Sequence, residues 1–368
     1  MKILFNTMGL GKGGAERVIS LLANSFVDYN EIVIVTNIKS NVEYEFNKKI
    51  RIVQLVNNDS RILRKIRRIS IYMVLKLRKI ILNYNPDIII SFLPEPSFRV
   101  LALKKHSKKI KNIPVIVSVR NDPNTEYNNK VFYFIMKRLY PHADQLILQT
   151  NDSKKYFEDN IKQTGIVIQN PVSDIFLTER YDGEREKKIV AVGRLEPQKN
   201  YKNLIEAFEI VNKKYNDYIL EIYGEGFLKE ELQKYIEYKK LNDKVLLKGK
   251  VDDVKKVIYK ATAFVMSSDY EGMPNSLLEA ACLGVPCVST DCPCGGPREI
   301  LDNGNSGCLV PVNNPKKLAD GIIKLINDIE YANKISDNAK NNSSKYSKEE
   351  IIKKWKEIIN KTIKESKK

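Results

Sequence analysis

The sequence predicts an α/β protein built as two doubly wound domains, and three observations carry that prediction. Short apolar runs alternate with amphipathic helical stretches along the chain, the pattern of parallel sheets covered by helices. Several runs end in glycine-containing loops, among them Gly9-Leu10-Gly11-Lys12-Gly13-Gly14, Gly193-Arg194 and Gly224-Glu225-Gly226. The alternation restarts after Asn170-Pro171, where proline disfavours helix before itself and stiffens the joint. The length of 368 residues suits two cores at a prior of roughly 150 residues per domain. The expected division is 1–170, 171–345, and a C-terminal helix in 346–368 that crosses back to the first domain.

In the first half, residues 2–7 read as a strand and Ala15 to Phe26 as an amphipathic helix. The loop between them matches G-x-G-x-x-G, the dinucleotide-binding pattern. It is not a P-loop, because Lys12 is followed by Gly. A dinucleotide site also expects an acid near the end of the second strand, yet Glu31 to Thr36 runs into Asn37-Ile38-Lys39. The next block, Arg61 to Ile80, holds eight basic residues and no acidic one. Within it Ile62, Ile66, Ile69, Met73, Leu77 and Ile80 form one stripe at helical spacing. That stripe reads as the sheet-facing side of a crossover helix, since Pro86-Asp87-Ile88-Ile89-Ile90 follows as a strand. The basic face is either solvated surface or an attraction to anionic lipid, worth ~1 kcal/mol per basic residue near the surface. The run Lys104-Lys105-His106-Ser107-Lys108-Lys109 adds to it or is a solvated helix end. Val115 to Val119 is a strand that ends in Arg120-Asn121-Asp122-Pro123. An aromatic-rich helix follows, in which Tyr127, Phe132, Tyr133 and Phe134 serve the core or line a groove. Gln145 to Gln149 and Ile166 to Ile168 are further strands.

In the second half, Lys188 to Val192 is a strand, followed by Gly193-Arg194-Leu195-Glu196-Pro197-Gln198-Lys199-Asn200 and a helix from Tyr201. Arg194 and Lys199 place two cations beside a helix N-terminus. Leu220 to Tyr223 ends at Gly224 and Gly226, where missing Cβ atoms permit close backbone approach. Val245 to Leu247 precedes Lys248-Gly249-Lys250-Val251. Ala261 to Met266 reads as a buried strand leading to Ser267-Ser268-Asp269-Tyr270-Glu271-Gly272-Met273-Pro274-Asn275. A helix then starts at Pro274, a residue suited to the first helical position, and stops at Gly284. Glu271 and Glu279 bracket its N-terminus, where open N–H groups and the helix dipole favour an anion. N–H donors for phosphate and two carboxylates for hydroxyls suit a sugar nucleotide. Pro286 to Thr290 is a strand ending in Asp291-Cys292-Pro293-Cys294-Gly295-Gly296-Pro297-Arg298-Glu299. Gly307 to Val310 closes the sheet, and Lys348 to Ile363 is a long helix carrying Trp355.

Composition narrows the class. The net charge is +17, of which residues 1–173 hold +14 and the remainder +3. That asymmetry suits an anionic partner such as a phospholipid surface, a diphosphate-linked substrate or nucleic acid. No aromatic-basic nucleic-acid module of known form accompanies it. No apolar run approaches the ~20 residues of a spanning helix, and Met1-Lys2 lead straight into a strand. The expectation is a cytosolic chain. Five cysteines (282, 287, 292, 294, 308) fit no familiar zinc spacing and read as reduced thiols without a metal.

Taken in order, these motifs resemble those of the retaining glycosyltransferases of family 4, which fold as GT-B. The resemblance covers essentially the whole chain, from Gly-Gly-Ala-Glu in the first loop to Gly-Arg with Lys199, the S-S-x-x-E-G-x-P-N stretch with its second Glu, and Gly-Gly-Pro-Arg-Glu. It implies an active site in a cleft between two Rossmann-like domains, with the acceptor on the first and the nucleotide sugar on the second. Glu271 would orient the transferred sugar, Glu279 hold the ribose, and Arg194 with Lys199 neutralise the leaving diphosphate. Gly14, Gly193, Gly224, Gly226, Lys250, Met273, Pro274 and Asn275 would contact the donor, with Lys250 in a uracil-facing loop. Glu16 and Arg120 would face the sugar or acceptor; many relatives carry His near Arg120. No D-x-D metal motif occurs. The resemblance therefore implies metal-independent, cofactor-free transfer from a UDP-sugar to a saccharide on a polyprenyl diphosphate. Such an enzyme of bacterial surface-glycan assembly would work peripherally at the inner face of the cell membrane. The alternatives are an NAD(P)-binding oxidoreductase using the first loop and a non-catalytic nucleic-acid-binding protein.

Overall fold

The structure, a computed structural model, describes residues 1–11, 13–37, 42–56 and 71–367. Lys12 of the first loop, the 38–39 end of the second strand and residues 61–70 of the basic block lie outside the described residues. Two compact units divide the chain: Met1–Asn170 with Glu349–Lys368, and Pro171–Lys348. The second division falls a few residues beyond the expected 345/346 boundary, at the first turn of the last helix.

In the first unit, β1 (Lys2–Thr7), β2 (Glu31–Thr36), β3 (Arg51–Gln54), β4 (Ile88–Phe92), β5 (Val115–Ser118), β6 (Gln145–Leu148) and β7 (Ile166–Val167) form one parallel sheet, ordered β3-β2-β1-β4-β5-β6-β7. β4 is buried along its whole length, as a strand covered on both faces must be. One face packs Met73, Leu77, Ile81, Phe98, Met136 and Tyr140. The other packs Val18, Ile19 and Leu22 of the Gly14–Phe26 helix together with Trp355, Ile359 and Ile363. The last helix, Lys348–Ser366, thus completes a core that begins at residue 3. Trp355 is fully buried and its ring stacks on Phe92, 6.1 Å between centroids.

The crossover helix within the basic block is described over Ile71–Tyr84 and ends four residues beyond the end read from the sequence. Met73, Leu77, Ile81 and Tyr84 form its buried stripe, while Ile71, Tyr72 and Leu75 are exposed beside Arg78 and Lys79. The aromatic-rich helix, Lys130–Leu139, divides its rings. Phe132 and Tyr133 lean on the core and Phe134 is exposed.

The second unit repeats the plan with β8 (Glu186–Val192), β9 (Ile219–Tyr223), β10 (Val245–Gly249), β11 (Ala261–Met266), β12 (Cys287–Thr290) and β13 (Cys308–Val310), ordered β10-β9-β8-β11-β12-β13 and all parallel. In each sheet the winding reverses once, between β1 and β4 and between β8 and β11. Loops leaving the carboxyl ends of such a pair diverge to opposite faces and open a crevice, the preferred place for a ligand in this kind of sheet.

Candidate active site

In the second unit the crevice is walled by the loops after β8 and β11, the two stretches singled out in the sequence. Gly193 follows β8, and a short 3-10 turn at Pro197–Lys199 leads to Asn200. Asn200 adopts a left-handed conformation (φ 44°) and its side chain caps the Tyr201–Lys214 helix by accepting from the Asn203 N–H. Asn tolerates this conformation better than most residues. From β11 the chain runs through Ser267–Pro274 into the Asn275–Cys282 helix; Pro274 is its N-cap and not its first residue.

The two loops are tied together by backbone and side-chain bonds. Ser267 Oγ donates to the Lys199 carbonyl (2.8 Å), Asp269 N–H to the Gln198 carbonyl (2.9 Å), and Gln198 Nε2 to the Tyr270 carbonyl (2.8 Å). Asn200 Nδ2 donates to Asp269 Oδ1 at 2.7 Å. This lacing brings Lys199 Nζ to 2.5 Å from Glu271 Oε1, with the side chains only 15 % and 9 % exposed. Ser268 Oγ donates to the same carboxylate oxygen at 2.8 Å. A third loop fixes the Glu271 backbone: its N–H donates to the Pro293 carbonyl (2.7 Å) and its carbonyl accepts from the Cys294 N–H (3.0 Å). Gly296 lies so close that a Cβ there would sit 1.8 Å from the Gly272 carbonyl oxygen. Burial pushes up the Tyr201 hydroxyl and the Cys292 thiol, with the Glu271 charge adding to both shifts. The five cysteines are free thiols, all buried except the half-buried Cys308.

Glu279 is buried in the second turn of the Asn275–Cys282 helix, with Met273 and Pro274 buried ahead of it and Asn275 half-buried. Arg194 lies on the same loop as Lys199, ahead of the 3-10 turn. The Arg194 side chain is 66 % exposed and pairs with Glu196 at 2.9 Å, while Lys199 pairs with Glu271. The close approach that Gly224 and Gly226 permit is to protein: Cβ atoms there would meet the Gly193 carbonyl oxygen at 1.9 Å and the Leu195 carbonyl oxygen at 2.3 Å. Lys250 is exposed beyond Gly249, whose φ is +73°.

In the first unit Gly14 opens its helix, and the Glu16 carboxylate folds back over Gly13, so near that a Cβ at 13 would meet Oε2 at 2.1 Å. Arg120 follows β5 at the carboxyl edge of the sheet. Sequence reasoning passed over Ser268, Gln198 and Asn200. The Ser-Ser pair ahead of Glu271 was a usable signal for the first; nothing local marked the other two.

Comparison with known proteins places the chain in a family. The chain matches the family model "Glycosyltransferase Family 4" over residues 12–174 and "Glycosyl transferases group 1" over residues 179–342. An uncharacterized glycosyltransferase of Methanocaldococcus jannaschii is 31 % identical over 338 residues, covering 78 % of this chain and 82 % of that protein. The chain belongs to the family 4 glycosyltransferases. A Campylobacter jejuni alpha-1,4-N-acetyl-D-galactosaminyltransferase, named for a diNAcBac-PP-undecaprenol-linked acceptor, is 26 % identical over 98 % of both chains. Among solved structures, sucrose-phosphate synthase from Thermosynechococcus elongatus superposes with a TM-score of 0.84 at 15 % identity, over 98 % of both chains. HepE of Anabaena, solved in complex with UDP, superposes with a TM-score of 0.81 at 17 % identity, over 98 % of this chain and all of that one. The glycosyltransferase therefore has the GT-B fold, and the oxidoreductase reading of its first loop falls away. No described helix is long and apolar enough to cross a membrane.

Proposed function

We propose that this glycosyltransferase moves a hexose or N-acetylhexosamine from a UDP-sugar to a saccharide carried on a polyprenyl diphosphate, retaining the anomeric configuration and needing no metal. The observation that carries the reading is the Lys199–Glu271 pair at the β8/β11 reversal, set just before the Asn275–Cys282 helix with Glu279 buried inside it. Lys199 and the helix N-terminus supply positive potential for a leaving diphosphate, where positioned donors act most strongly. Arg194 joins them by exchanging Glu196 for phosphate. Glu271 orients the sugar and Glu279 accepts from the ribose hydroxyls. In the transfer, the bond from the anomeric carbon to the β-phosphate oxygen breaks as the bond to the acceptor oxygen forms on the same face. The acceptor proton passes to the leaving phosphate oxygen.

Relatives named for undecaprenyl-diphosphate acceptors support a lipid-linked acceptor, as does the charge. The first unit holds 35 Lys+Arg against 18 Asp+Glu, and the second holds 27 of each. The whole excess of +17 sits on the unit that the resemblance assigns to the acceptor, which suits peripheral binding to an anionic membrane.

Incubating the enzyme with a panel of UDP-sugars and following UDP release tests the donor. The expected result is release with a UDP-hexose or UDP-N-acetylhexosamine that survives excess EDTA. The anomeric coupling constant of the product tests retention. Loss of activity in EDTA with recovery in magnesium or manganese overturns the metal-free mechanism and makes Asp269 and Glu271 the first ligands to examine.

A further inference from the structure

Arg120 has a largely buried guanidinium that forms no ion pair among the described residues. The residue is half-buried, and its Nε and Nη2 are buried with no hydrogen-bond partner among the described residues. Nη1 donates to Asn170 Oδ1 at 3.0 Å. The guanidinium carbon lies 5.3 Å from the Phe92 ring centroid and 5.7 Å from that of Trp355, so two aromatic faces hold it in place. Burial alone pushes its pKa down to about 9; no carboxylate opposes the shift. Desolvating a guanidinium is expensive unless its donors are met, and ring faces satisfy none of the N–H groups.

The surroundings of Arg120 present further polar groups to the same point. Phe92 ends β4, Arg120 follows β5 and Gln149 follows β6, so the carboxyl ends of three adjacent strands converge on it. Gln149 is buried and donates to the same Asn170 oxygen at 2.7 Å, which leaves its own Oε1 without a partner. Unmet guanidinium donors beside an unmet amide acceptor match a group that carries phosphate oxygens next to a hydroxyl.

We propose that Arg120 is an anion receptor of the first unit, binding a phosphate or diphosphate group of a substrate, and that Phe92 and Trp355 position it. The inference rests on the glycosyltransferase reading only for the source of that phosphate, the donor's diphosphate or the acceptor's.

Inorganic pyrophosphate, titrated by calorimetry onto wild type and Arg120→Gln with and without saturating UDP, separates the possibilities. If UDP-saturated wild type binds pyrophosphate and Arg120→Gln weakens that binding at least tenfold, the receptor serves the acceptor's diphosphate. If UDP blocks pyrophosphate and UDP affinity itself falls at least tenfold in the variant, it serves the donor's. Should wild type bind no UDP, the donor reading above fails, while the titration on free protein still decides the role of Arg120. Melting curves supply the control. Pyrophosphate should raise the melting temperature of wild type and not of Arg120→Gln, and Arg120→Lys, which keeps the charge without the planar fork, should fall between. A variant that melts lower yet binds pyrophosphate and UDP as wild type does would show a purely structural arginine and overturn the proposal.

Discussion

At the scale of single residues, the site depends on carboxylates in unusual surroundings. Glu279 is buried in the second turn of the Asn275–Cys282 helix. Glu279→Gln keeps the shape and removes the charge. On the proposed role, acceptance of two ribose hydroxyls, this change should weaken UDP binding by ~1.5–3 kcal/mol, roughly 10- to 150-fold. Isothermal titration on both proteins measures this, and equal affinities would remove Glu279 from the nucleotide site. Glu126 offers a test with a definite pH signature. Burial, aided by the Asp122 charge, pushes its carboxyl up to about 8, and its Oε2 is buried without a partner. A carboxyl whose folded pKa is raised favours the folded state while protonated. That contribution is complete below its ordinary value of 4.5 and is lost as pH rises through about 8. Glu126→Gln should therefore melt with wild type near pH 4.5 and above it at pH 9. A constant difference across the range would mean that the carboxyl does not titrate as stated.

At the scale of elements, the crevice is fixed by loop packed against loop. Gly224 has φ +148° and faces the Gly193 carbonyl oxygen, which belongs to backbone and cannot swing away. Gly224→Ala meets both a disfavoured conformation, which costs of order 1–3 kcal/mol, and a direct clash. It should lower the melting temperature and loosen the Arg194–Lys199 loop, seen as faster amide exchange there; an unchanged melting curve and exchange pattern would refute the packing role. Gly13, by contrast, faces only the far end of the Glu16 side chain, so the same substitution there should be mild.

Elements with a clear local signature were legible in the sequence. β1, β2, β4, β9 and β11 are apolar runs, and Gly-Arg and Glu-Gly-Met-Pro mark the loops after β8 and β11. The Pro94–His106 helix was not legible, because Pro-Glu-Pro at its start reads as a loop until one sees that proline is tolerated in a first turn. β3 is four residues at the sheet edge, too short for a period. The Lys199–Glu271 contact spans 72 positions and exists only because two loops are laced, so spacing could suggest both residues but not their partnership. Arg194 pairs with Glu196 two residues away, a contact that its strand-end position did not suggest.

For the whole molecule, the division of charge is the dominant property. A first unit of +17 beside a neutral second unit should bind anionic vesicles with a steep salt dependence, as the Debye length falls from ~10 Å at 0.1 M to ~3 Å at 1 M. Replacing the exposed Arg78, Lys79, Lys108 and Lys109 with Gln should weaken sedimentation with such vesicles while circular dichroism stays unchanged. Exposed Ile71, Tyr72 and Leu75 beside Arg78 and Lys79 should leave a residue of binding that salt does not remove. If wild type ignores anionic vesicles at low salt, the excess charge is ordinary solvated surface. The return of the last helix has a different consequence, one of timing. The second unit is continuous in the chain and closes its cores with residues of its own. The first unit is not continuous. Its earliest strands emerge first and then wait through the synthesis of 178 further residues, Pro171–Lys348, for the tryptophan that covers Phe92. Throughout that interval the apolar face around Phe92 lacks the cover that Trp355 gives it, so the segment that is made first cannot complete its core first.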